Sequence, residues 1–158
     1  MPFQTIPPDG TNDTADANWR ALQQSITSGA FNPIAPSTTI TITGTGANTQ
    51  GYFTTAVNNA VFFNITFAAT SGNVTVTIPS GQFFILPQAL FPLGSKGTGT
   101  VNYPYATFPV IIASTGATSG TLSLGVSGKS AVLINNTGAT ITAAAPTVSI
   151  HGFYFTGK

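Results

Sequence analysis

The chain has 158 residues, among them four Lys or Arg, three Asp, no Glu and no Cys. A soluble domain of this length ordinarily carries about 40 charged side chains, so charge-driven disorder is excluded, and a net charge of +1 gives no basic surface for nucleic acid. The acids Asp9, Asp13 and Asp16 all stand near the start, which leaves residues 17–158 without a carboxylate or thiol. Paired-carboxylate hydrolysis, thiolate chemistry and the usual zinc and calcium sites have no raw material there, and no cofactor is expected.

In chain order, MPFQTIPPDG has neither a basic n-region nor a continuous apolar run, so no secretory leader is expected. Three prolines before Asp9 predict an extended arm that takes its order from whatever it lies on. Asp13 as N-cap, with Asp16 in the first turn, opens a predicted short helix over Thr14 to Ser28. Its apolar stripe is Ala15, Trp19, Leu22 and Ile26, at spacings of four, three and four, and Gly29 is its expected terminator. Pro33 and Pro36 prevent continuation. Residues 1–36 therefore read as an attachment arm with a short helix, and residues 37–158 as the body.

Beyond Pro36 the period changes from helical to alternating. Thr38 to Thr43 (TTITIT), Asn73 to Ile78 (NVTVTI) and Thr121 to Val126 (TLSLGV) predict strands with one buried face. The more apolar runs Ala60 to Ala69 (AVFFNITFAA), Gln82 to Leu86, Val110 to Ala113 and Val132 to Ile134 predict strands covered on both faces. Turns are expected at Gly44 to Gly46, Ser71-Gly72, Pro79 to Gly81, Gly94 to Gly97, Ser119-Gly120, Ser127-Gly128 and Asn136 to Gly138. The fold class is all-β, an antiparallel β-sandwich or jelly roll of about 7–10 short strands. No run reaches the roughly 20 apolar residues of a membrane helix, so no membrane partner is expected.

The polar positions of these strands are Thr, Ser and Asn rather than Lys or Glu. Uncharged strands do nothing to repel a second chain, which points to a homo-oligomer, a trimer in first place.

Candidate sites are few. His151 has serines available as nucleophiles but no orienting acid after Asp16, so it reads as a structural or surface histidine and the protein as no enzyme. The Gly94 to Gly99 stretch has the wrong order for a phosphate loop. Tyr52, Phe53, Tyr103, Tyr105 and Phe108 stand near Gly and Pro punctuation. Tyr52, Tyr103 and Tyr105 are the candidate glycan or receptor contacts, against an ordinary core reading for the group. Trp19, the single tryptophan, is the kind of aromatic that anchors an interface.

The stretch Phe3-Gln-Thr-Ile-Pro-Pro-Asp-Gly-Thr-Asn-Asp-Thr-Ala-Asp-Ala-Asn-Trp-Arg-Ala-Leu-Gln-Gln resembles the opening of small tailed-bacteriophage virion proteins. The resemblance implies attachment to a capsid or tail protein through roughly Phe3 to Ser28, with Phe3, Ile6, Ala15, Trp19, Leu22 and Ile26 as the contact. It also implies an outward β-domain that forms a homotrimeric head fibre, decoration or short tail-fibre knob, and a place in the virion. The alternative from another class is a lectin-like module that binds carbohydrate or a host-surface receptor.

Overall fold

The computed structural model describes residues 27–36, 38–56, 60–87, 100–127 and 130–155, with the backbone alone for 100–105. The predicted arm and helix up to Ile26, and the Gly94 to Gly97 turn, lie outside the described residues. Eleven strands are present among those described: β1 (Ser28–Phe31), β2 (Thr41–Thr45), β3 (Asn48–Thr55), β4 (Ala60–Ala68), β5 (Ser71–Ile78), β6 (Phe83–Ile85), β7 (Thr100–Ile112), β8 (Ala117–Ser127), β9 (Ser130–Ile134), β10 (Ile141–Ala145) and β11 (Thr147–Phe155). They form an eight-stranded sheet in the order β1-β3-β4-β11-β7-β8-β9-β6 and a three-stranded sheet in the order β10-β5-β2. All pairings are antiparallel.

Three long extended segments explain why there are more strands than the sequence pattern separates. Residues 41–55, 60–78 and 141–155 each pass from the small sheet to the large one or back, and they keep the same neighbours on both sides of the crossing. Side by side they turn one shared corner, the device by which strands switch sheets in crossed β packing. The turn needs special backbone at Gly44 (φ 149°) and Gly46 (φ 60°), and the β2–β5 register shifts between Thr43 and Thr45. A Cβ on Gly44 would lie 2.8 Å from the Asn73 carbonyl oxygen. Thr70 closes the corner on the middle segment by donating its backbone N–H and its hydroxyl to the Thr45 carbonyl, both at 2.9 Å. Pro146 marks the corner of the third segment, between the pairs Ala145–Val74 and Thr147–Ala68, where a residue without an N–H costs no ladder bond.

The other half of the large sheet is a meander of β7, β8 and β9 that ends on β6. β11 pairs with β7 only at Val148–Ile112 and Ser149–Ile111, so Pro109 of β7 pairs on one side alone, with Thr121 of β8. The sheet curls until its edges meet. Ile34, just after β1, bridges Phe84 of β6, and the Ile85 N–H donates to the Pro33 carbonyl at 2.8 Å.

One hydrophobic cluster fills the space between the sheets. The large sheet contributes Val61, Phe63, Ile65, Phe67, Leu122 and Ile150, the small one Val74, Val76, Ile78, Ile141 and Ala143. Phe67 stacks obliquely on Phe84 with centroids 5.6 Å apart. Each such side chain contributes about 1.5–3 kcal/mol on full burial, and these positions hold the curl and the corner in place.

Three local expectations are corrected. Ser28 and Gly29, read as helix end and terminator, belong to β1 and pair with Thr54 and Phe53; the missing Cβ at Gly29 leaves room for the Phe53 ring, which would approach to 2.9 Å. Ser119-Gly120 is no turn but the interior of β8, where Gly120 accepts Ile141 from the other sheet. The chain turns instead just before β8, at Gly116 (φ 68°), whose N–H donates to the Ile112 carbonyl at 2.8 Å. Finally, β4 is not covered on both faces: Val61, Phe63, Ile65 and Phe67 are buried, whereas Phe62 and Asn64 are exposed.

Candidate functional site: an aromatic sheet face

Alternation along a strand sends neighbouring side chains to opposite faces, and register then fixes which of them meet. Across β1, β3, β4 and β11 the outward residues form a row Ser28–Thr54–Phe62–Phe153 and, one step along, a row Ala30–Tyr52–Asn64–His151. Phe155, opposite Ala60, extends the first row towards the end of the strands. Among the described residues the exposed large aromatics are Tyr52 (52%), Phe62 (50%), Phe153 (52%) and Phe155 (55%), and all four belong to this one face. Phe62 and Phe153 lie 5.7 Å apart at a 35° tilt, and Phe153 and Phe155 lie 6.0 Å apart edge to face at 90°. Two shallow hollows flank Tyr52, one lined by Thr54, Phe62 and Asn64 and the other by Ser28, Ala30 and Thr54.

The face changes character along the strands. Towards the corner the outward residues are Gln50, Thr66 and Ser149, then Asn48, Ala68 and Thr147. Its aromatic end is also the end at which the chain enters from the N-terminal side. Thr27 is tied there to Thr55: the Thr55 N–H and hydroxyl donate to the Thr27 carbonyl at 2.7 and 3.2 Å, and the Thr27 N–H donates to Thr55 Oγ1 at 2.9 Å.

A second aromatic group occupies the inner side of the same strands. Phe63 meets Phe108 at 5.3 Å edge to face and Tyr154 at 6.0 Å. Phe108 fits there because Gly152 on β11 has no Cβ; one added would collide with the Phe108 ring.

Of the residues singled out in the sequence, Tyr52 is on the outer face and Phe53 is half-buried on the inner side of β3. Phe108 is buried. The backbone of Tyr103 pairs with Leu124, and the side chains of Tyr103 and Tyr105 lie outside the described residues, as do Phe3, Ile6, Ala15, Trp19, Leu22 and Ile26. His151 is exposed in the Tyr52 row, beside Asn64. Among the described residues it is the one member of the set His, Cys, Asp, Glu, Lys and Arg, and no group of three potential metal ligands occurs.

The sequence reading passed over Phe62, Phe153 and Phe155, although their parity carries the signal. In FFNITF, Phe62 shares its parity with Asn64 and Thr66, and in IHGFYF, Phe153 and Phe155 share theirs with His151. An aromatic in phase with the polar residues of its own strand points outward.

No family model, curated protein or solved structure matches this chain.

Proposed function

We propose that the protein is a structural, non-enzymatic component of a tailed-phage particle that acts as a homotrimer, a capsid-surface decoration, head fibre or short tail-fibre knob. In this reading the N-terminal segment, through Phe3, Ile6, Ala15, Trp19, Leu22 and Ile26, attaches it to a capsid or tail protein, and the virion is its location. The two sheets meeting over one core are read as a β-sandwich of jelly-roll type. The observation that carries the proposal is the surface: the described residues include no Lys, Arg, Asp or Glu. The described strands of two copies have no charge to keep them apart, and Thr, Ser and Asn along them satisfy one another as readily as they satisfy water.

Light scattering after size exclusion tests the oligomer. The expected mass is three times the 16.1 kDa of one chain, unchanged in about 1 M NaCl because contacts without charge are not screened. A monomer at micromolar concentration overturns it. The attachment role is tested by the full-length Trp19→Ala variant, which should fold normally yet be lost from particles, since truncating an aromatic anchor costs about 2 kcal/mol or more.

The second reading, a module for host-surface glycan, draws on Tyr52 beside Asn64 and His151, polar groups able to hold hydroxyls. The tilted and perpendicular rings next to them give no flat stacking platform, which favours the structural reading. Binding on a glycan array that is abolished by Tyr52→Ala would reverse that order.

A further inference from the structure

We infer that the aromatic end of the outer face of β1, β3, β4 and β11 is the surface on which a second copy of this chain seats. The inference rests on the oligomeric reading above and gives it a location.

Four observations converge on this face. The first is area. Four rings left half-exposed present about 400 Å² at the roughly 200 Å² of an aromatic side chain, about half of what each partner contributes to a standard interface. Ser28, Ala30, Thr54, Asn64 and His151, interleaved with the rings by register, extend the patch and supply the polar groups found at an interface rim. The second is the sequence of β4. Its run AVFFNITFA has the apolar density of a strand covered on both faces, yet among the described residues only the Val61, Phe63, Ile65 and Phe67 face is covered. A second copy seated on the face would cover Phe62.

The third is charge. A partner that recognised this face by complementary charge would find none among its described residues, which include no acid, Lys or Arg. The surface that fits it is another uncharged one, and the same face of a second copy is such a surface.

The fourth is continuity. The Thr27–Thr55 hydrogen bonds put the start of the described chain at the aromatic end of the face. Copies that meet there bring their N-terminal segments together.

The test uses the full-length chain with Phe62→Ser and Phe153→Ser combined, and separately with His151→Arg, which adds a charge to the face without removing a ring. Thr142→Lys on the exposed side of β10, in the other sheet, is the control. The readouts are light-scattering mass against concentration, circular dichroism and Trp19 emission. Both face variants should self-associate more weakly by roughly 30-fold, as for truncation of an interface anchor, with the strand signal retained and the control unaffected. Unchanged assembly in both face variants, beside an oligomeric wild type, overturns the inference and leaves the oligomeric reading standing. A monomeric wild type overturns both. If that monomer's Trp19 emission moves to the red when Phe62 and Phe153 are replaced, the chain's own N-terminal segment is the occupant.

Discussion

Replacing Asn135 by Ala should be the costliest polar substitution in the described body. Asn135 is its one fully buried polar side chain, at 0% exposure, and it stands just after β9, where three pieces of chain converge. Its Nδ2 donates to the carbonyls of Ile78 and Ala139, both at 2.7 Å, and its Oδ1 accepts from the Thr137 N–H at 3.2 Å and the Thr137 hydroxyl at 2.8 Å. Its backbone adds bonds to Gln82 (2.9 Å) and Gly81 (2.7 Å), which survive the substitution. The Thr137 groups are near solvent and can turn to water, whereas the Ile78 carbonyl is left facing a closed space. At about 1 kcal/mol per net hydrogen bond and 1–3 kcal/mol for a buried group left without a partner, the loss is about 3–4 kcal/mol. For a chain of this size that lowers the melting temperature by roughly 10 °C. Thr137→Ala, which removes bonds at the exposed end of the same network, should cost about 1 kcal/mol and roughly 3 °C. Thermal unfolding followed by circular dichroism or calorimetry reads both. Equal shifts for the two variants, or less than about 3 °C for Asn135→Ala, would refute the view that Asn135 pins this junction.

Three further outcomes are expected. Gly152→Ala should destabilise by about 1–3 kcal/mol, because the new methyl must displace the Phe108 ring from its packing on Phe63; denaturant titration checks it. Phe67→Ala should cost about 3–5 kcal/mol by opening a cavity against Phe84, with the denaturant midpoint falling at an unchanged slope. Removal of metal by a chelator should leave the melting temperature unchanged, since among the described residues no His, Cys, Asp or Glu cluster could bind an ion; a fall of several degrees would reveal a site made elsewhere in the chain.

The strands with one buried face were the legible part of the fold. TTITIT, NVTVTI and TLSLGV fall in or against β2, β5 and β8 with the buried residues at the alternating positions. The corners were not legible, because hydrophobic period describes one face of one strand and is silent about where a segment changes sheets. Residues 60–78 read as two strands with a turn, and the structure makes them one path bent at Ala69-Thr70. β10 and β11 escaped the pattern for a related reason: ITAAA is too small in volume to look like a core strand and Pro146 looks like a stop, yet Ala143 and Ala145 are buried. At the candidate site Tyr52 was legible and its neighbours were not. Phe62 and Phe63 are adjacent in sequence and serve opposite faces, a division fixed by the register of β4 against β3 and β11. Phe108, grouped with Tyr52 in the sequence, turns inward because it has Gly152 to pack on.

The account depends on copies meeting at the outer aromatic face, and cross-linking addresses that contact most directly. The chain contains no cysteine, so a single His151→Cys introduces the one thiol, on an exposed position in the Tyr52–Asn64 row and next along the face from Phe153 on β11. A short bis-maleimide should join His151→Cys chains into covalent dimers at micromolar concentration, while the same reagent leaves Thr142→Cys, on the exposed side of β10 in the other sheet, as single chains. Dimers from Thr142→Cys with none from His151→Cys would contradict the account, because they would put the contact on the small sheet.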